Sequence, residues 1–456
     1  MGLTPDSFYA RLKYLLEKPE SPQRLKDTPF EFIVAYSGGL DSVVLLYLMR
    51  SIQGKLPLSS LKAVYIDHGL QSESKQWGQH CKLICERLKV TFDSVILNAT
   101  ANKGESPEDS ARKTRYDYFK QHCVQKLTVL LTAHHADDQT ETLLLQLLRG
   151  SGPKGLASMP NVTQFGQGQH LRPLLKYDRA LLKQYATSNG LSWVDDPSNA
   201  DTGFDRNFLR HKVLPVLTKR WPSLNKTTYR SAKLAAEADA LLVDLASIDY
   251  EHAKSSQDNI LEISALKQLS TARARNLIRY WIKYNGFSIP SYAQTEEILN
   301  MLTARIDATP LLAWNENQVR RFRSKLYLLK APKKFDTNWQ VSFDVSQDRI
   351  LLADNSSLLL SHTVSEGLDF AELRGKNLVV KYRRGGETCT PLGRKHRHRL
   401  KKLFNEADIP PWERDRIPLI FVDDLLVAVV GMWYCEPYAL KKVDIEKGLS
   451  FKVLFN

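Results

Sequence analysis

The run Phe32, Ile33, Val34, Ala35, Tyr36, Ser37, Gly38, Gly39, Leu40, Asp41, Ser42 passes from an apolar stretch through a glycine pair into a helix-like stretch, Val43 to Arg50. Two glycines let the backbone turn sharply and bring bare N–H groups close to an anion, and the following helix points its positive dipole end at the same spot. This pattern reads as a phosphate loop. It lacks the lysine of the G-x-x-x-x-G-K-[ST] loop and does not follow the G-x-G-x-x-G spacing of a dinucleotide loop, which leaves a pyrophosphate cradle. Asp41 adds a carboxylate suited to Mg2+, and the hydroxyls of Ser37 and Ser42 can reach phosphate oxygens. The plainer alternative is an ordinary strand-to-helix turn with a serine cap.

Outward from this loop, Phe30 to about Gly150 alternates short apolar runs with longer periodic ones, which predicts an α/β unit with a doubly wound parallel sheet. Strands are expected at Phe32 to Tyr36, Leu61 to Asp67, Thr91 to Leu97 and Thr128 to Ala133. One helix should start at Ser106 and Pro107 and run through Ala111 to His122, and another should span Ala136 to Arg149. Gly150 to Gly168 reads as a long loop of the kind that covers a substrate. A helix capped by Asp178 and a polar turn at Trp193 to Asn199 follow. The domains expected are 1–217, catalytic; 218–332, mainly helical, with a basic amphipathic helix at Thr271 to Tyr284, another at Gln294 to Arg305 and a strand pair at Gln318 to Leu329; and 333–456, a small mixed α+β domain. Lys330 to Lys334 reads as the linker, and Ile417 to Val430, interrupted by Asp423 and Asp424, reads as a hairpin.

Composition narrows the partner. The chain has 456 residues and a formal charge of +14, a self-repulsion that suits an anionic partner, with nucleic acid first. No apolar run reaches membrane length, and the five cysteines form no C-x-x-C pair, so a reducing cytoplasm and no membrane are expected. Cys81 and Cys85, one helical turn apart, suit burial better than metal. Charge concentrates between Lys381 and Lys402, where Lys381, Arg383, Arg384, Arg394, Lys395, Arg397, Arg399, Lys401 and Lys402 face one acid, Glu387. That is a phosphate-backbone footprint, adding affinity and salt sensitivity rather than base specificity. Arg273, Arg275, Arg279 and Lys283 form a second candidate RNA face, although the interleaved Tyr280, Trp281 and Tyr284 read as core packing.

Three further constellations carry chemistry. His134, His135, Ala136, Asp137, Asp138, Gln139, Thr140, Glu141 falls at a strand-to-helix junction, where ligands bind in a doubly wound sheet. Asp137 and Glu141, four apart, share a helical face and could hold Mg2+ or a substrate ammonium. His134 with Asp138 lacks a third ligand for zinc. Arg112 and Arg115 share a face of the preceding helix and could neutralise a phosphoryl group or form a solvated basic face, while Asp195, Asp196, Asp205, Arg206 and Arg210 suit either a pocket for a zwitterion or a charged surface turn.

In combination, the loop at Ser37 to Ser42, the boxes at Ala111 to Tyr116 and His134 to Thr142, the loop at Arg149 to Gly155 and the run Arg206 to Leu214 resemble the tRNA(Ile)-lysidine synthase family of N-type (PP-loop) ATP pyrophosphatases. Arg383 to Glu387, Leu400 to Phe404, Pro410 to Arg414 and Leu425 to Trp433 are similar to its C-terminal domain. The resemblance implies that ATP, with Mg2+, adenylates the carbon-2 oxygen of the wobble cytidine in the CAU anticodon of tRNA(Ile), and that the side-chain amine of free L-lysine then displaces AMP. Carried onto this chain it implies that Ser37, Gly38, Gly39, Leu40, Asp41 and Ser42 hold ATP, with Asp41 and Asp137 near Mg2+. It implies His134, Asp137, Glu141 and Arg206 for lysine, Asp41, Arg112, Arg115, Asp137 and Glu141 for catalysis with nearby carboxylates as bases, and Arg383 to Lys402 for tRNA. A thiolase-type relative would want paired cysteines, a glutamine-dependent synthetase an early nucleophilic cysteine, and a non-catalytic RNA-binding protein no intact acid and arginine set. Homodimer formation is left open.

Overall fold

The computed structural model describes residues 2–17, 29–56, 58–67, 69, 73–97, 107–125, 127–305, 308–332, 336–363, 366–440 and 448–454. Ser106, the expected helix start, and Lys333 and Lys334 of the expected linker lie outside them. The chain forms two compact units, Met1–Leu245 and Ala246–Asn456.

The first unit runs α1 (Pro5–Leu16), β1 (Phe30–Ala35), α2 (Leu40–Ser51), β2 (Leu58–Asp67), α3 (Ser74–Leu88), β3 (Thr91–Ile96), α4 (Pro107–His122), β4 (Thr128–Leu131), α5 (Ala136–Leu148), α6 (Pro153–Leu156), β5 (Val162–Phe165), β6 (Gly168–Leu171), α7 (Arg179–Ser188), α8 (Asp205–Phe208) and α9 (Leu214–Arg220), and it takes in most of α10 (Leu224–Ala253). Its sheet has the order β3-β2-β1-β4-β6-β5, parallel except at β5. Alternation along β1 covers both faces: Phe32 and Val34 join the core that includes Val43, Leu45, Leu46 and Leu182, whereas Ile33 packs with Phe119, Cys123 and Leu130. α2 is apolar on nearly every side because it is enclosed, with Val43, Val44, Leu45, Leu46 and Leu48 all inaccessible to solvent. From β1 the sheet extends one way through β2 and β3, and from its neighbour β4 the other way through β6. The loops after β1 and β4 therefore open into one crevice, the switch point where such sheets bind ligands.

The expected strands and helices of this unit are found, with two differences. β3 is an edge strand and keeps much of its surface exposed. The stretch expected as a loop from Gly150 to Gly168 instead forms α6 and β5, because Gly166, at φ +59°, turns β5 back onto β6 as a hairpin. The unit also reaches beyond residue 217, since Thr140 Oγ1 lies 2.8 Å from Asn225 Oδ1 and 2.7 Å from Thr228 Oγ1 at the start of α10.

In the second unit, α11 (Ile263–Gln268), α12 (Thr271–Tyr284) and α13 (Tyr292–Met301) share a core with an antiparallel sheet ordered β7 (Ile260–Glu262), β10 (Lys325–Lys330), β9 (Asn317–Phe322) and β8 (Leu311–Trp314). Trp281 is fully buried in that core and Tyr280 packs against it, as their reading as packing implied, whereas Tyr284 is exposed. The C-terminal part holds a five-stranded and a four-stranded sheet, the expected hairpin appearing as Leu419–Val422 and Leu425–Val429 with Asp423 at φ +53°.

Because β1 and α2 carry the glycine loop, Leu45→Ala should cost about 3 kcal/mol, the usual loss for an enclosed leucine. A urea midpoint of the full chain unchanged from wild type would contradict this packing.

Candidate active site

The loop after β1 is built by its own hydroxyls. Ser42 Oγ donates to Gly39 O at 3.0 Å and lies 3.1 Å from Ser37 Oγ, while Gly39 N–H approaches Ser37 Oγ at 3.4 Å. Gly38 is required twice over: its φ is +78°, and a β-carbon there would come within 2.7 Å of Cys81 Sγ. The loop borders a cavity of about 300 Å3 lined among others by Asp41, Val64, Ile66, Arg115, His134 and Arg210. A neighbouring cavity of about 550 Å3 is bordered by Asp137, Lys183, Trp193 and Leu214, and the two share Leu40, Arg179, Asp195 and Arg210.

A buried charge network stands where α5 begins. His135, 1% exposed, places Nε2 3.5 Å from Asp41 Oδ2 and 3.4 Å from Asp138 Oδ2, and Nδ1 3.5 Å from Asp137 Oδ2. Burial opposes charge on this ring, but Asp138, Asp137 and Asp41 outweigh it and raise the imidazole from 6.5 to about 10. It is a cation at neutral pH. Burial likewise opposes ionisation of Asp137, yet His135 and the Arg179 N–H, 2.8 Å from Oδ2, bring it down to about 2. Glu141 is fully buried and salt-bridged to Arg206 Nε at 2.7 Å and Arg210 Nε at 2.7 Å, and both arginines also reach Asp138 Oδ1, at 2.9 and 3.2 Å. Arg206 and Arg210 converge because they sit one turn apart, on α8 and the wide π-type turn at Leu209–Val213 that follows it. Pro215 has no N–H to offer the carbonyl four residues back, which favours such a widening.

Beside this cation lies a neutral histidine. Burial pushes His134 down from 6.5 to about 3, and its Nδ1 lies 2.7 Å from Thr132 Oγ1. The same hydroxyl is 2.8 Å from His170 Nε2, and Arg172 approaches His170 Nδ1 at 3.1 Å.

The chain matches family models for a PP-loop domain over residues 7–217, a TilS substrate binding domain over 261–327 and a TilS substrate C-terminal domain over 378–446. It is 43% identical over 411 residues to tRNA(Ile)-lysidine synthase of Coxiella burnetii, covering 90% of each chain. Similarity to the enzyme of that name in Methylococcus capsulatus is 39% over 442 residues, 96% of this chain and 97% of the relative. The chain belongs to the tRNA(Ile)-lysidine synthase family.

Against that family's expected site, the structure gathers Ser37, Gly39, Leu40, Asp41, Ser42, Arg115 and His134 around the first cavity and Asp137 and Glu141 beside the second. Three expectations are corrected. Glu141 borders the second cavity, but its carboxylate is engaged by two guanidiniums rather than left open for an ammonium or a metal. Arg206 is tied to the same acids, and Arg210, four residues on, is the one that borders both cavities. Arg112 is exposed and lies over the Tyr116 ring at 5.5 Å, so Arg115 alone of that pair lines the cavity. Asp41 Oδ1 is buried and forms no hydrogen bond among the described residues, with Arg179 Nε 3.8 Å away, and a hard cation suits it; Asp137 is already held by His135 and Arg179. Sequence reading passed over His135, Arg179, Arg172 and His170. Only the box around His135 and Asp138 carried a signal for them, and it did not say which partners the chain would bring.

The second candidate RNA face is largely used within the fold, since Arg273 pairs with Asp249 and Arg275 with Glu296. The stretch at Arg383 to Lys402 divides. Arg383 pairs with Asp415 and Glu387, and Arg394 and Lys402 with Glu406. Lys395, Arg397, Arg399 and Lys401 are exposed and pair with no acid among the described residues, on or just beyond a small hairpin, Thr388–Cys389 with His398–Arg399.

The raised His135 sets a pH window. Its contribution to stability is fully present below pH 6.5 and is lost as pH rises through about 10, whereas that of Asp137 is present above pH 3.8 and lost as pH falls through about 2. Urea unfolding of wild type and His135→Gln from pH 6 to 10 should show a stability difference that narrows with pH; a constant difference would count against a charged His135.

Proposed function

We propose that the chain joins free lysine to carbon 2 of the wobble cytidine in the CAU anticodon of tRNA(Ile), with ATP converted to AMP and pyrophosphate. The observation that carries this reading is the pair of adjoining cavities, one bordered by a phosphate loop and the other by acids, with Arg179, Asp195 and Arg210 common to both.

The first cavity suits ATP. Ser37 and Ser42 with the loop N–H groups meet phosphate oxygens, Arg115 offsets their charge, and Val64, Ile66 and Phe119 give an apolar wall for the adenine. Asp41 is the residue to hold Mg2+, which when bound offsets charge on the phosphates. The oxygen on carbon 2 is a poor leaving group until adenylation converts it into part of AMP. The lysine amine then forms the new C–N bond as the C–O bond to AMP breaks.

The second cavity suits an amino acid. Asp137 and Asp195 are placed for an ammonium, and Arg179 and Lys183 for a carboxylate. A carboxylate brought down to about 2 is a weak base, so Asp137 holds the amine rather than deprotonating it. Sulfur transfer fits poorly, because burial raises the thiols of Cys81 and Cys85 to about 12 and leaves little thiolate. Lys395, Arg397, Arg399 and Lys401 supply a salt-sensitive RNA contact.

Incubation with ATP, labelled lysine and tRNA(Ile) should transfer label to the RNA, and Asp41→Ala should reduce the rate by about 100-fold or more, the scale for losing a group that organises transition-state charge. Transfer undiminished by that substitution would overturn the assignment. Reversing charge at Arg397 and Arg399 together should weaken tRNA binding by about tenfold or more and flatten its salt dependence, with ATP binding unaltered. Equal tRNA affinity in a filter-binding titration would remove the hairpin from the interface.

A further inference from the structure

Hydrogen-bond logic along Arg172, His170, Thr132 and His134 fixes more than the distances say. A guanidinium only donates, so the Arg172 contact at 3.1 Å makes His170 Nδ1 an acceptor. A neutral His170 then carries its proton on Nε2 and donates to Thr132 Oγ1 at 2.8 Å. The Thr132 hydroxyl could accept a second time, but among the described residues the only other group within reach of it is His134 Nδ1 at 2.7 Å, so its own proton has a buried acceptor only if it donates there. His134 must carry its single proton on Nε2.

We propose that Arg172, His170 and Thr132 are positioning residues that lock His134 into the Nε2–H tautomer and so present a neutral hydrogen-bond donor to an oxygen of the reacting nucleotide or the α-phosphate. The inference rests on the reading of the first cavity as the reaction chamber. Arg172 and Thr132 are each 8% exposed and His170 is 1% exposed, so water does not compete for these bonds. Arg172 is anchored in turn by donating to Pro160 O at 2.8 Å. His134 and Thr132 line the cavity, and among the described residues no hydrogen bond is formed to His134 Nε2. Burial keeps both rings neutral, with His134 down to about 3 and His170 down to about 2, so proton order along the chain is set by bonding and does not change across the working pH range. The consequence is chemical. A neutral donor can polarise a carbonyl or phosphoryl oxygen without repelling a cationic amine, and a neutral imidazole is known to serve as an electrophile in this way.

Nitrogen NMR of the full chain carrying labelled histidine, with His134 assigned by its disappearance in His134→Asn, should show a pyrrole-type Nε2 and a pyridine-type Nδ1 from pH 6 to 9. Thr132→Val removes the hydroxyl at nearly constant shape. It should mix the two tautomers and lower kcat for lysine transfer by about tenfold, the worth of one ordered hydrogen bond, with KM for ATP little changed. Thr132→Ser should restore both signals and rate. An Nδ1–H His134 in the wild type, or a Thr132→Val protein with unaltered tautomer and kcat, would overturn the relay. A wild-type chain with the Nε2–H signature that transfers no lysine would instead refute the proposed reaction and leave the relay standing.

Discussion

The carboxylates of Asp138 and Glu141 are buried at the start of α5, where an unpaired charge would cost several kcal/mol. Arg206 and Arg210 answer them both, from 65 and 69 positions further along the chain to Glu141. The same pair therefore joins the mouth of β4 to the segment beyond α7, and the cavities lie where those pieces meet. His135 extends the network to Asp41 on α2 and to Asp137, and the N–H of Arg179 closes it on the start of α7. Because each group compensates another, removing any single member leaves its partner buried and uncompensated, so effects of neighbouring substitutions here will not add.

Network charge also bears on the nucleophile. Asp41, Asp137, Asp138 and Glu141 face His135, Arg179, Arg206 and Arg210, four acids to four cations. Under the proposed reaction, a balanced set beside the second cavity would not impose a strong field favouring an ammonium over the free amine. An acid-rich pocket without these cations would bind lysine more tightly and keep its amine protonated, which opposes attack. Affinity and reactivity conflict at this point, and the arginines relieve the conflict.

The parts legible in the sequence were those decided by neighbours a few residues away. The turn at Gly38, the alternation of strand and helix to α5, the span of α12 and the hairpin at Asp423 all follow from local chemistry and periodicity. Glu141 shows where that reasoning stops. Its spacing from Asp137 correctly predicts a shared side of α5, but burial and two distant arginines decide what the carboxylate meets. Arg273 and Arg275 repeat the lesson, since a basic helix face looks like an RNA surface until Asp249 and Glu296 are folded against it. β5 was hidden because its pairing depends on Gly166 folding it onto β6, a contact that composition alone, rich in glycine, reads as loop.

His134 and His135 are adjacent in the chain and opposite in charge. One ring stands among three carboxylates and is held as a cation; the other borders the cavity beside a hydroxyl, where burial keeps it neutral. Strand-end geometry makes this division, since successive residues leaving β4 point to different sides. His135 turns toward the acids that fix the loop and α5, and His134 turns toward the cavity. A cationic ring at the cavity would repel an incoming ammonium group, and a neutral one among the acids would leave them unbalanced. The order of the two histidines is thus part of the site's electrostatics, and exchanging their environments would damage loop and reaction chamber together.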